Sequence, residues 1–138
     1  NDGLSPYEKQ LRLLAAPIAE RVEFIPFLPR DQIIPQFHAA SIYCVPSNWD
    51  DPCPLTVLEG LSCGLPMIIS RRGGIPEQAL DSALYFSPPD TIAFSNHLID
   101  LLDHPQRRVE LAAKARARAL ALQWQARHAD LLQAVTNP

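Results

Sequence analysis

Apolar residues along this chain fall into two spacings that alternate from the N-terminus onward. Residues 7–16 repeat at helical spacing, with Leu11, Leu14 and Ala15 in one stripe. Residues 22–25 form a short strand-like run that Pro26 closes. Helical spacing returns over 30–40, with Asp31 in the first turn and Pro35 placed where it must sit early or bend the helix. Residues 42–45 read as a strand ended by Pro46, and 55–63 as a helix closed by Gly64 in a left-handed stop. A strand over 67–69 follows, then a loop and short helix over 73–80 begun near Pro76, then a strand over 83–86. Asp90 is the expected N-cap of a helix over 91–103, and two more helices, 105–121 and 124–135, finish the pattern. Strand–helix alternation with short connections predicts an α/β fold, a parallel sheet of about four strands with helices on both faces. The loops that follow its strands (26–30, 46–53, 70–75 and 87–90) then open on one edge, where open α/β sheets bind ligands. Three of these four are rich in Gly, Pro, Ser or acidic residues.

A length of 138 residues suits one domain with one core. No apolar run approaches the ~20 residues of a membrane-spanning helix. The net charge of −3 is unevenly spread: residues 1–103 hold six Lys/Arg against thirteen Asp/Glu, whereas 104–138 hold six against two. Arg107, Arg108, Lys114, Arg116 and Arg118 lie on the Ala/Leu-rich helix. A solvated helix face is the preferred reading of these cations, and peripheral contact with an anionic membrane surface is the second. No aromatic residues interleave with them, which argues against nucleic acid. Cys44, Cys53 and Cys63 contain no Cys-x-x-Cys pair, and the four histidines are scattered, so no metal site is expected. An odd number of scattered cysteines fits a reducing, cytoplasmic setting. The chain does not open on Met, and a piece of a longer protein is expected.

The stretch 46–77, PSNWDDPCPLTVLEGLSCGLPMIISRRGGIPE, concentrates the candidate chemistry. Asp51 and Glu59 are separated by seven residues across a loop-to-helix junction at a strand's carboxyl end. Alone, Asp51 is more often a turn or capping residue, and Glu59 a helix-surface residue near a favourable dipole end. Together, two converging carboxylates can accept paired hydrogen bonds from sugar hydroxyls. The helix start at Leu55 and Thr56 can donate backbone N–H bonds to a phosphate. Such a combination suits a sugar phosphate or a nucleotide sugar. Trp49 walls that pocket or packs the loop, with packing preferred, and Ser47 makes a turn hydrogen bond. Arg71 and Arg72 meet solvent, a phosphate or an acidic neighbour.

The whole string P-S-x-W-D/E-D/E-P-x6-E-G/A-x-x-C-G-x-P-x3-S-x-x-G-G-x-P-E resembles the signature of family 4 glycosyltransferases. The preceding RVEFIPFLPRDQIIPQFHAASIYCVPS is similar to that family's V-x-F-x-G…Y-x-x-A-D-V-x-V-x-P-S element. The resemblance implies a retaining transferase of the GT-B architecture, in which two Rossmann-like domains face a cleft. Residues 1–138 would be part of the C-terminal, donor-binding domain, with 105–138 as its closing helices. It implies that Glu59 binds the donor ribose hydroxyls and that Asp51, assigned the catalytic position, lies by the transferred sugar with Asp50 sharing its task. Leu55 and Thr56 would offer amides to the donor, Leu28 would lie by the base, and Gly74 would belong to the donor-side Gly-Gly loop. No cofactor or metal is implied, a UDP- or GDP-sugar being the substrate. The acceptor, a glycan, lipid or small molecule, would be set elsewhere.

Three departures stand out: Asp51 replaces Glu and is one methylene shorter, Pro54 replaces Gly and removes one N–H, and Pro26 replaces Gly. Two βα units that the family places at the start of this domain are absent. In the family's strand order 3-2-1-4-5-6 the strands here would be 3, 4, 5 and 6. That leaves strand 3 about 10 Å from its neighbour with unpaired backbone groups. A partner chain in the gap, re-docking of strand 3, or self-association through exposed sheet edges would each answer this. A non-catalytic binding module and another GT-B enzyme, such as an epimerase, are the alternative functions.

Overall fold

The structure, a computed structural model, describes residues 3–123; the helix expected over 124–135, with Trp124, lies outside them. The chain divides into two compact units, Asn1–Ile33 and Ile34–Pro138.

In the first unit, helix α1 (Pro6–Ala15) starts from a full capping box. The Ser5 hydroxyl accepts from the Glu8 N–H at 3.2 Å, and the Glu8 carboxylate accepts from the Ser5 N–H at 2.8 Å. Those hydrogen bonds hold the Glu8 carboxyl below its ordinary range. A 3₁₀ segment, Ala16–Arg21, follows. Residues 22–29 are irregular, which corrects the strand expected at 22–25. A strand exists only through ladder hydrogen bonds to a neighbour, and the sheet has three strands, none of them from this segment. Phe24 instead carries the Arg12 guanidinium 4.6 Å above its ring. Helix α2 (Arg30–Ala39) holds Pro35 in its interior, where one backbone donor is lost.

The second unit is built on β1 (Tyr43–Val45), β2 (Met67–Ser70) and β3 (Leu84–Phe86), parallel and in that order. The register pairs Cys44 with Ile68 and Ile68 with Leu84. Side chains alternate across a strand, so Cys44, Ile68, Leu84 and Phe86 share one face. There they pack with Ala93, Phe94, Leu98 and Leu101 of α5 (Thr91–Asp103) and Leu111 of α6 (Pro105–Ala121). Tyr43 and Met67 point to the other face and meet α3 (Leu55–Ser62). All four residues of β2 are fully buried, as a central strand covered on both sides must be. Among the described residues the fold is an incomplete Rossmann-like parallel sheet of three strands, one fewer than expected. Asp90 caps α5 as predicted, accepting from the Ala93 N–H at 2.9 Å.

Two glycines set the position of α3. Gly64 takes φ +66° and ends the helix in a Schellman turn. Its N–H bonds the Leu61 carbonyl at 3.0 Å and the Leu65 N–H reaches back to Gly60 at 3.1 Å. Gly60 itself lies on the sheet: a Cβ there would sit 2.6 Å from Met67 Sδ and 2.7 Å from Tyr43 Cδ1. Only a bare α-carbon lets the helix come this close.

The basic side chains of α6 are neither idle nor merely solvated. Arg108 donates to the Leu101 and Leu102 carbonyls at the end of α5. Arg116 donates to Ser62 at the end of α3, at 2.8 Å. Arg118 donates through Nε to Gln78 and through Nη2 to Glu77, both at 2.7 Å, on the short helix α4 (Ile75–Ala79). Lys114 pairs with Asp81 at 2.8 Å and Arg107 with Asp100. Cations at helix C-termini satisfy orphan carbonyls and oppose the negative dipole end.

Two outcomes follow from this packing. Gly60→Ala gains about 1 kcal/mol in helix propensity and loses about 1–3 kcal/mol to overpacking. A lowered urea midpoint of the full-length protein is expected, and a raised one would mean that Tyr43 and Met67 yield freely. Arg118→Lys keeps the charge but loses the two-pronged geometry. It should lower stability by about 1–3 kcal/mol and raise amide exchange in residues 77–80.

Candidate functional site

The loop after β1 and the loop after β2 interlock. The Gly73 N–H donates to Asp50 Oδ1 at 3.2 Å and the Gly74 N–H donates to the Asp51 carbonyl at 2.9 Å. Asp50 Oδ2 also faces the Arg72 guanidinium at 3.8 Å, the acidic neighbour foreseen for that residue. A Cβ at Gly73 would strike the Asp51 carbonyl oxygen, and one at Gly74 the Pro52 carbonyl oxygen. The Gly-Gly pair is therefore required by contact between two backbones. Asp51 Oδ1 accepts from the Cys53 N–H at 2.9 Å, an Asx turn that aims the chain at α3. Ser47 makes the expected turn bond, its hydroxyl accepting from the Trp49 N–H at 3.3 Å. Trp49 is 76% exposed and does not pack the loop, contrary to the preferred expectation.

Helix α3 begins without a side-chain cap, at Pro54. The Val57 N–H returns to the Pro54 carbonyl at 3.2 Å, while the Leu55 and Thr56 N–H groups have no carbonyl partner among the described residues. Both residues are exposed. These are the orphan donors of a helix N-terminus. Thr56, Glu59, Gly60 and Cys63 follow at helical spacing along one face. Tyr43 of β1 lies against that face, its ring edge-on to Phe37 at 5.1 Å. Burial pushes the Tyr43 phenol up, the Glu59 carboxylate adds to this, and a hydrogen bond with the Thr56 side chain opposes it. The Cys63 thiol is also raised, by burial first and by Glu59 second, with Arg116 opposing. Glu59 is thus half-buried on the face that Tyr43 meets, one turn beyond the Leu55 and Thr56 amides.

The candidate residues accordingly fall into three groups. Asp50, Asp51 and Gly74 meet in the interlocked loops. Leu55, Thr56 and Glu59 share α3. Leu28 belongs to the first unit, half-buried in the irregular segment. The loops and the helix are joined by Gln78, a buried residue of α4 that the sequence did not single out. Its side-chain amide donates to Cys53 Sγ at 3.2 Å and to the Pro54 carbonyl at 3.4 Å, bracing the start of α3. An amide in the otherwise apolar buried face of α4 was the available signal. A cleft of about 310 Å³ opens beside this brace, lined by Pro52, Cys53, Gly74, Gln78 and Arg118 among others. Among the described residues no cluster of His, Cys, Asp or Glu is arranged to hold a metal ion, and no helix is long and apolar enough to cross a membrane.

Comparison with known proteins bears on this geometry. The chain is 32% identical over 129 residues to a GDP-mannose-dependent monoacylated alpha-(1-6)-phosphatidylinositol monomannoside mannosyltransferase of Corynebacterium glutamicum, covering 88% of this chain and 34% of the relative. It is 33% identical over 120 residues to a D-inositol 3-phosphate glycosyltransferase of Acidothermus cellulolyticus, covering 84% and 26%. The chain therefore spans about a third or less of these curated relatives. Sucrose-phosphate synthase of Thermosynechococcus elongatus shares the fold at a TM-score of 0.81, with 24% identity over 99% of this chain and 36% of that one. Anabaena HepE, solved in complex with UDP-glucose, superposes at 0.78 with 21% identity, over 98% and 37%. The family model described as "Glycosyl transferases group 1" matches residues 2–118, and the chain belongs to that family.

Proposed function

We propose that this chain supplies donor binding to a retaining glycosyltransferase that moves a sugar from a nucleotide diphosphate sugar to an acceptor. The observation that carries the reading is α3, in a chain of this family. Its first turn offers Leu55 and Thr56 amides that have no carbonyl partner among the described residues, and its second presents Glu59. Amides at a helix start suit a diphosphate, whose charge grows as the sugar departs. A carboxylate one turn on suits a ribose diol, which donates two hydrogen bonds. The GDP-mannose dependence of one relative and the UDP-glucose bound to one structural neighbour support a nucleotide sugar here. Asp51, with Asp50, would lie by the transferred sugar, and Gly74 would hold that loop in place. The acceptor would be bound by parts of the protein beyond this stretch. A second reading, donor binding without transfer, is favoured by one observation: Asp51 Oδ1 is already engaged by its own loop.

Isothermal titration of the full-length protein with UDP- and GDP-sugars tests the first reading. Glu59→Ala should weaken donor binding by about 10–100-fold, the scale of one or two charge-assisted hydrogen bonds, and should erase any preference for ribose over deoxyribose. Unchanged affinity would remove Glu59 from the donor site. Transfer with retention predicts a product anomer matching the donor's by NMR. Binding with no transfer to any acceptor would favour the second reading.

A further inference from the structure

We infer that Cys53 is a modification site: a hydroperoxide oxidises its thiol to a sulfenic acid, which the side-chain amide of Gln78 then holds at the start of α3. The three cysteines differ in what an oxidant can reach. Cys44 in β1 and Cys63 at the end of α3 are half-buried. Burial raises the Cys44 thiol, and burial followed by the Glu59 charge raises that of Cys63, with Arg116 opposing. A raised thiol holds less of the thiolate, which is the form that reacts. Cys53 is exposed, in the loop before α3, and lines the cleft of about 310 Å³. Leu58 lines the same cleft, so this is the side of α3 turned away from Thr56 and Glu59.

Gln78 is the second feature, and it is independent of the thiol's exposure. It is 7% exposed, and its amide reaches into the site: Nε2 donates to Cys53 Sγ at 3.2 Å and to the Pro54 carbonyl at 3.4 Å. Its Oε1 is buried with no hydrogen-bond partner. The thiol therefore answers only one end of the amide. A sulfenic acid carries an oxygen that accepts and a proton that donates, so a single S–O–H group can meet Nε2 and Oε1 together. The buried amide complements the oxidised side chain better than the reduced one.

In the reaction, the Cys53 thiolate attacks one oxygen of the hydroperoxide. The S–O bond forms as the O–O bond breaks, and the departing oxygen takes a proton to leave as an alcohol, or as water from hydrogen peroxide. Sulfur is oxidised and the peroxide is reduced. The new oxygen needs room between Sγ and Nε2. Turning to meet it draws the amide away from the Pro54 carbonyl, and Pro54 is where α3 begins. Oxidation is thereby felt at the Leu55 and Thr56 amides, a consequence that rests on the reading of α3 as the donor helix.

The test treats the full-length protein with hydrogen peroxide, traps sulfenic acid with dimedone and maps the adduct by mass spectrometry. The label should collect at Cys53 ahead of Cys44 and Cys63, and Cys53→Ser should lose it. Label spread evenly over the three, or absent from residue 53, overturns the site. Gln78→Met keeps the length and removes both polar ends. It should shorten the lifetime of the sulfenic acid about 5–10-fold, the scale of one lost hydrogen bond, and an unchanged lifetime overturns the part given to the amide. The unsubstituted protein supplies a further measurement. Peroxide should weaken UDP or GDP binding about 3–10-fold, dithiothreitol should restore it, and Cys53→Ser should be indifferent to both. Label at Cys53 with unaltered nucleotide affinity breaks the link to α3. Glu59→Ala with unaltered affinity instead removes the donor reading and leaves the label in place.

Discussion

One helix holds the working parts of the second unit together, and it does so with arginines. Arg108, Arg116 and Arg118 of α6 reach the C-terminal ends of α5, α3 and α4 respectively. Each of those ends carries carbonyls with no partner inside its own helix. A five-residue helix such as α4 is too short to be stable alone. Arg118 takes two of its carbonyls, and Gln78 of the same helix then braces Pro54 at the start of α3. The route from α6 through α4 to the first turn of α3 is a chain of hydrogen bonds, in which the Arg118–Gln78 link is partly shielded from water and the Gln78–Pro54 link is buried. Three of the cations on α6 thereby find their use in capping neighbouring helices.

Much of this architecture could be read from the chain. Proline, glycine and a capping aspartate marked nearly every boundary: Pro46 after β1, Gly64 after α3, Pro76 in α4, Asp90 before α5. These residues act locally, through fixed φ, a missing donor, a permitted positive φ or a reachable N–H, so sequence suffices to find them. The strand expected at 22–25 was of another kind. Its apolar run had strand character, but a strand is completed by a neighbour, and no ladder in the three-stranded sheet includes it. The arginine caps were out of reach for the same reason. Arg116 lies 54 residues from the Ser62 carbonyl it meets, and nothing in the local pattern of α6 identifies that partner.

The site was legible to a similar degree. Asp50, Asp51, Gly74, Leu55, Thr56 and Glu59 were named from spacing and resemblance, and the fold gathers them into two adjoining pieces of one unit, the interlocked loops and α3. The reason for the two consecutive glycines became visible only with the loops in contact, since it is the backbone of residues 50–52 that excludes a side chain at 73 and 74. Gln78 was not named, and Arg118 was named only as one of the helix's cations, because each meets a partner distant in sequence.

The two acids of the motif are physically unlike. Asp51 shapes its own loop: one oxygen accepts from Cys53, and its main-chain carbonyl accepts from Gly74. Shortening Glu to Asp at this position is consistent with such a turn, since the Asp side chain reaches an N–H two residues on. Glu59 is placed differently. It sits on a helix fixed by Gly60 below, Arg116 at its end and Gln78 at its beginning, and its neighbours Tyr43 and Cys63 are groups whose own ionisation it opposes. A carboxylate in that position remains available to accept from a ligand's hydroxyls, and the helix that carries it cannot easily retreat. Of the two acids, Glu59 is thus the one whose carboxylate its own loop does not engage, whereas Asp51 is tied into the turn that keeps two backbones in register beside it.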